Sequence, residues 1–257
     1  MFYERIKNGM TALTTPPLAP KVVAVLAGLQ IYTVEDVQAA CPCRVFLLLK
    51  KSGLSVTLSV FWQLVAVSLQ KHVSDLSDGE RAAWQKKLQE MPPVAVFPPL
   101  EEQRGFMQAA LVQAALAAEA DEVPVGAVVV HRGKIVAQAY NRCVADCNVS
   151  HHAEILALAQ AGQVLGSYRL NECDVYVSLE PCAMCASALM QARVARVIFA
   201  ASEPKTGAAG SVVDLFANKA LNAHTAVSGG VLADEAQAIL QQFFQNKRKK
   251  IGGQSCN

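Results

Sequence analysis

Four prolines, at positions 92, 93, 98 and 99, fall inside one stretch, MPPVAVFPPLEE, Met91 to Glu102. Each fixes its own φ, removes a backbone donor and drives the residue before it out of helical conformation. Neither a helix nor an inner strand runs through two such pairs. Whatever the chain folds into is therefore built on either side of about residue 95. The 257 residues are enough for two domains of ordinary size, and the expected division is 1–95 and 96–257.

The first part reads as helices. PKVVAVLAGL is a short amphipathic helix ending near Gly28, and TVEDVQAA opens on a threonine cap with carboxylates in its first turn. LSVTLSVFWQLVAVSLQK is a long apolar helix whose β-branched start is also compatible with strand. SDGERAAWQKKLQ carries a second capping signature. Four to five helices without clear strands predict a small all-helical domain.

The second part alternates. EQRGFMQAALVQAALAAEA reads as helix, then VPVGAVVV and KIVAQAYN as strands around the turn HRGK. AEILALAQA is a helix, DVYVSLE a strand, CAMCASALMQA a helix, RVARVIFAAS a strand, and ADEAQAILQQFFQNKRKK a closing helix. This order predicts an α/β domain with helices layered on a mixed sheet. Sites in such folds gather where strands run into helices.

The composition is globular, 53% hydrophobic and 17% charged. A net charge of +2 excludes a chain-wide pull on nucleic acid and leaves only local basic footprints. The most conspicuous is the tail NKRKK, with Lys247, Arg248, Lys249 and Lys250. No apolar run reaches the roughly 20 residues that span a bilayer, and MFYERIKNGMTAL has none of the parts of a signal peptide. A cytoplasmic protein without a membrane partner is expected. Eight cysteines in that setting are metal ligands or buried thiols rather than a disulfide framework. Cys41, Cys43, Cys173 and Cys256 read as ordinary thiols, because CPC lacks zinc-ligand spacing. His72, His131 and His224 read as surface residues without partners.

Two stretches carry chemistry. In SLEPCAMCASALMQA, Ser178 to Ala192, Pro181 suits the first turn of a helix, and Cys182 and Cys185 then fall on one face. Unpaired amides and the positive end of the helix dipole favour thiolates there. Two thiolates can clamp zinc, but a catalytic zinc typically takes three protein ligands and keeps one position for water. SHHAEILALAQ offers His151, His152 and Glu154. A carboxylate beside the metal, not bound to it, can move protons. On an ideal helix His151 shares a face with Glu154, whereas His152 stands about 200° away from it. At a helix mouth first-turn side chains converge from either side, so spacing leaves both histidines open.

HAE followed by PCAMC matches the H-x-E…P-C-x-x-C signature of zinc-dependent nucleobase deaminases. DEVPVGAVVV, YNR, SHHAEILAL, YRLNECDVYVSLEPCAMCASALMQARVARVIFAA and KTGAAGS closely resemble bacterial tRNA-specific adenosine deaminases, from about Glu102 to Lys250. The resemblance implies a three-layer cytidine-deaminase-like fold and one Zn²⁺ per subunit on His152, Cys182 and Cys185. It implies Glu154 as general acid–base, and hydrolytic deamination of adenosine to inosine at the wobble position of a tRNA anticodon stem–loop. Asn141, in YNR, would hydrogen-bond the flipped base. Glu203 and Lys205, in EPKTGAAG, would contact substrate, with Glu203 standing where the family usually has Asp. Lys247 and Arg248 would guide phosphates. Phe243 is expected in the core, and Phe244 either there or as a platform at the RNA channel. A homodimer completing its active sites across the interface is also implied.

Two alternatives share parts of this pattern. One is a zinc-dependent deaminase of a free base or nucleoside, such as guanine, cytosine or another pyrimidine. The other is a noncatalytic RNA-binding module with a closed structural zinc, whose fourth ligand would be His151, Cys143 or Cys147. The first part, from Thr11 to about Leu88, resembles the C-terminal domain of TfoX-type competence regulators, a helix–hairpin–helix-like module. It lacks a dense Lys/Arg stripe, and AGLQ replaces the glycine-containing hairpin. It is read as an accessory domain.

Overall fold

The computed structural model describes residues 10–221 and 224–253, with side chains through Lys249. Cys256 and the Lys250 side chain lie outside the described residues. The chain forms two compact units that divide between Val96 and Phe97.

In the first unit the helices are α1 (Pro20–Gly28), α2 (Val34–Ala40), α3 (Pro42–Lys51), α4 (Leu58–Ser68) and α5 (Asp78–Glu90), with a 3₁₀ turn at Val73–Asp75. The two capping signatures are realised. The Thr33 hydroxyl accepts the Asp36 amide while the Asp36 carboxylate accepts the Thr33 amide, and Ser77 and Glu80 do the same for α5. The β-branched start of the long apolar stretch is not helical, since α4 begins only after Thr57. PCRVFLLLKK, not foreseen as a separate helix, is α3. Cys41 breaks from α2 with φ 66° and Pro42 occupies the first turn. Val22, Leu26, Val37, Phe46, Leu49, Phe61 and Leu64 close an apolar core, with the Phe46 and Phe61 rings 5.3 Å apart.

The second unit runs α6 (Leu100–Glu119), β1 (Gly126–His131), β2 (Lys134–Tyr140), α7 (Ala153–Leu165), β3 (Cys173–Leu179), α8 (Ala183–Gln191), β4 (Arg196–Ala201), β5 (Ala226–Gly229) and α9 (Ala233–Gly253). The sheet order is β2-β1-β3-β4-β5. β1 is antiparallel to β2 and β3, while β3, β4 and β5 are parallel. HRGK is a two-residue hairpin, with Arg132 at φ 50° and Gly133 at φ 75°, the backbone that matches strand twist.

Strand alternation sorts the core into two sides. Ala127, Val129, Val175, Val177, Val197 and Phe199 face Ala153, Ala157, Ala186 and Leu189 of α7 and α8. Val128, Val130, Tyr176, Ile198 and Ala200 face Met107, Ala110 and Leu111 of α6 and Ala236 of α9. The result is a three-layer α/β/α sandwich. Gly126 lets α6 lie flush on β1, because a Cβ there would meet the Ala110 carbonyl oxygen at 2.2 Å. β5 was not foreseen. Its four residues, AVSG, are too short and too poor in β-branched residues to show the period of a strand.

Candidate active site

Two helix mouths converge at one end of the sheet. His152 is the residue before α7, with extended backbone at φ −73° and ψ 152°. Cys182 holds the equivalent place before α8, at φ −71° and ψ 172°. Pro181 therefore precedes the cap rather than sitting in the first turn, as expected from sequence. Because His152 is not yet helical, the 200° separation from Glu154 does not apply, and its ring reaches the thiols. The ligand atoms of His152, Cys182 and Cys185 all lie within 4.8 Å of one another, the one such group among the described residues. His152 Nδ1 is 3.7 Å from Cys182 Sγ and 3.5 Å from Cys185 Sγ. Tetrahedral zinc, with bonds of about 2.3 Å to sulfur and about 2.0–2.1 Å to nitrogen, sets S···N edges of about 3.6 Å. The donor set fits that ion.

Electrostatics point the same way. Hydrogen bonds from Cys185 and His152 push the Cys182 thiol down to about 3. The neighbouring Cys182 and burial push Cys185 up. Without a cation the pair therefore holds one thiolate and one thiol, and a cation between them would let Cys185 ionise as well. Two buried thiols elsewhere are poor nucleophiles: burial raises Cys43 to about 12 and Cys173 to about 11.

Glu154 lies in the first turn of α7 and is 3% exposed. Burial pushes its carboxyl up, and Cys182 adds to that. Its Oε2 is buried with no hydrogen-bond partner. An unpaired buried carboxylate oxygen is costly, and here it belongs to the residue beside the metal-type cluster.

The rejected fourth ligands are engaged elsewhere. His151 Nδ1 lies 2.8 Å from Asp146 Oδ2, and Arg142 pairs with the same carboxylate at 2.8–3.0 Å. Cys143 and Cys147 donate to the carbonyls of Val149 and Val144. A closed structural site is thus not assembled among the described residues. Asn141 is buried, and its Oδ1 accepts the Ala153 amide at 2.8 Å. It caps the helix that carries Glu154, leaving only its amide nitrogen to meet a ligand.

Glu203 and Lys205 share a turn in which Glu203 Oε1 accepts the Lys205 amide at 2.8 Å. On α9, Phe243 is buried and Phe244 is 46% exposed. Arg248 is exposed. Lys247 is held by Asp121 at 2.6 Å and lies over the Phe243 ring. Expectations for the remaining histidines need correction. His131 Nε2 is 3.5 Å from Glu172, and His72 bonds Ser74; His224 is exposed.

Sequence reasoning missed two buried carboxylates. Glu122 accepts the amides of Val144 and Ala145 at 2.8–3.2 Å, fixing the loop between β2 and α7. Glu180 accepts donors from the loop after β4. Burial alone would push the Glu180 carboxyl up, but the Ser211 hydroxyl and three backbone amides outweigh it and hold it below its usual range. The one available signal was an acidic residue between an apolar strand and a proline, as in SLEP.

A three-layer sandwich with a His/Cys/Cys cluster at two helix mouths and a buried glutamate beside it defines an enzyme of the cytidine-deaminase-like class. Residues 101–248, more than half of the chain, match the MafB19-like deaminase family, and the chain belongs to that family. It is 42% identical over 149 residues to the tRNA-specific adenosine deaminase of Agrobacterium fabrum, covering 58% of this chain and 98% of the relative. The Bacillus subtilis protein of the same name is 40% identical over 145 residues, covering 56% of this chain and 90% of its own length. A solved structure from work on A-to-I editing by tRNA:A34 deaminases is 42% identical, with a TM-score of 0.52 over 53% of this chain and 99% of that one. Residues 10–88 match the TfoX C-terminal domain. No helix among the described residues is long and apolar enough to cross a membrane.

Proposed function

We propose that this chain hydrolyses adenosine to inosine and ammonia at the wobble position of tRNA anticodons, with one zinc ion on His152, Cys182 and Cys185. The observation that carries the reading is the buried, unpartnered Glu154 Oε2 beside three donors with tetrahedral spacing. When bound there, zinc lowers the pKa of a coordinated water toward neutrality. Glu154 accepts a proton from the attacking water and delivers it to N1 of adenine as C6 becomes tetrahedral. It then assists transfer of a second proton to the departing amine. Burial raises its pKa, which favours its holding the proton between the two transfers. Asn141 holds the start of α7 in place through its carbonyl and offers its amide nitrogen to the flipped base.

Glu203 and Lys205 are assigned to the flanking nucleotides, and Phe244, Lys247 and Arg248 to the approach of the RNA. Lys247 reaches Asp121, which adjoins the Glu122 that fixes the 144–145 amides, so the tail borders the loop beside the site. A second copy of the chain is the proposed occupant of an apolar groove of about 950 Å³ along α7 and α8, lined by Ile155, Leu158, Tyr168, Leu170 and Ala188. The groove is built by the two helices that present the metal ligands, and Tyr168 there is 74% exposed. A tRNA substrate places the reaction in the cytoplasm. Residues 1–95 are read as an accessory domain.

The test is inosine formation in an anticodon stem–loop with adenosine at the wobble position, with metal analysis and sedimentation of the same preparation. The expected result is inosine, about one zinc per chain, a dimer's mass and almost no turnover of free adenosine. Cys182→Ala is expected to lose most of the zinc. Turnover of free guanine, cytosine or adenosine with no inosine in the stem–loop would overturn the tRNA reading.

A further inference from the structure

Glu180 joins β3 to the metal-type cluster, two residues before Cys182. It is 3% exposed and has no place in the proton chemistry assigned to Glu154. Its two oxygens take four hydrogen bonds, all from one loop. Oε2 accepts the Glu203 amide at 3.0 Å and the Ser211 hydroxyl, and Oε1 accepts the Ala209 amide at 2.9 Å and the Ser211 amide at 3.0 Å. A carboxylate offers about four lone-pair sites, so this one is filled by residues 203–211.

The loop also closes on the carboxylate sterically. A Cβ on Gly207 would stand 2.5 Å from the Glu180 carboxyl carbon and 2.6 Å from Oε2. Two further links run to the next residues of the same segment. The Ala208 amide donates to the Pro181 carbonyl at 2.8 Å, and Gly207 forms an antiparallel bridge with Cys182. Within the loop, the Gly207 amide donates to the Glu203 carbonyl at 2.9 Å, and Glu203 Oε1 accepts the Lys205 amide. Lys205 therefore lies in a loop whose two ends, at Glu203 and Ser211, are both bonded to Glu180. A buried carboxylate is costly unless fully bonded. A cap that only needed to end β3 would not require an ion gathering amides from three separate residues.

We propose that Glu180 is a positioning residue: it fixes the 203–211 loop in register with the Cys182 segment, so that the loop grips nucleotides flanking the target adenosine. This deepens the tRNA reading and rests on it. The grip is made by the loop and the chemistry by Glu154 and the metal, so loosening the loop burdens binding more than turnover.

Glu180→Gln in the full chain tests it. Glutamine keeps the shape, but one of its two terminal groups becomes a donor facing donors. Hydrogen exchange in residues 203–211 is expected to accelerate about tenfold or more, with the rest of the second unit unchanged. For the stem–loop, KM is expected to rise about tenfold while kcat stays within about threefold and zinc content stays at the wild-type level. Ser211→Ala removes a single donor and is expected to raise KM about two- to threefold, which keeps the test decisive if the glutamine variant does not fold. Wild-type KM despite accelerated exchange would overturn the proposal. A loss confined to kcat together with zinc would also overturn it, by showing that Glu180 serves the metal ligands alone. A wild-type protein forming no inosine overturns the substrate reading, and with it the grip; exchange in residues 203–211 then still reports whether Glu180 anchors them.

Discussion

The two units bury different things. In the first, the buried polar side chains among the described residues are Thr33 and Ser68, both hydroxyls serving nearby backbone. In the second, four carboxylates are buried: Glu122, Glu154, Asp174 and Glu180. Three of them are satisfied, Glu122 and Glu180 by loop amides and Asp174 by Arg196 across β3 and β4. Only Glu154 keeps an unpartnered oxygen. A helical bundle and a sandwich both fold on apolar contacts, so fold alone does not account for charge inside. Each buried ion costs several kcal/mol unless compensated. Charge is retained where it holds a loop, pairs two strands, or stands beside the His/Cys/Cys cluster.

The sharpest way to break this contrast is Glu154→Gln. Deamination is expected to fall about 10²- to 10⁴-fold, the contribution of a general acid–base, with zinc retained. The melting temperature should hold or rise, since an uncompensated buried charge is removed. A sharp drop in melting temperature would place Glu154 with the three structural carboxylates instead. Asp174→Ala comes next in size. Removing the Asp174 carboxylate from Arg196 should cost the second unit roughly 3 kcal/mol in urea unfolding, the lower end for breaking a buried pair, because the Arg196 side chain is 26% exposed. A cost below about 1 kcal/mol would equate the pair with surface ion pairs.

The smallest effect belongs to the first unit. Lys71 and the Ser77 cap hold the Glu80 carboxyl down at about 2. Its pKa is depressed on folding, so its stabilisation is present above the unfolded value of about 4.3. That stabilisation is lost as pH falls from there toward about 2. The fully exposed site keeps the effect slight and salt-sensitive. Glu80→Gln should remove that limb from the pH profile of the first unit's stability; an unchanged profile would show that the cap does not depend on charge.

The site was legible where chemistry and spacing coincide. HAE and PCAMC name residues that must be those types, and both stretches open helices. Choosing between His151 and His152 needed the backbone, because the answer turns on whether the histidine precedes the helix or belongs to it. Asn141 showed its cap only in three dimensions, and Glu122 and Glu180 left almost no trace. A carboxylate that binds amides of a loop 22 to 31 residues away imposes no side-chain pattern on that loop. Lys247 read as a free cation because its partner, Asp121, lies 126 positions earlier. β5 escaped because an edge strand of four residues, AVSG, is too short to show a period.

That last ion pair changes how an arriving polyanion is greeted. Lys247 is already neutralised by Asp121, so handing it to a phosphate exchanges one anion for another. Under the proposed RNA reading, the exposed Arg248 and Lys249 would then contribute more to the ionic-strength dependence of binding than Lys247 does. The pair is solvent-exposed on both sides, 35% and 59%, so opening it costs about 1 kcal/mol or less.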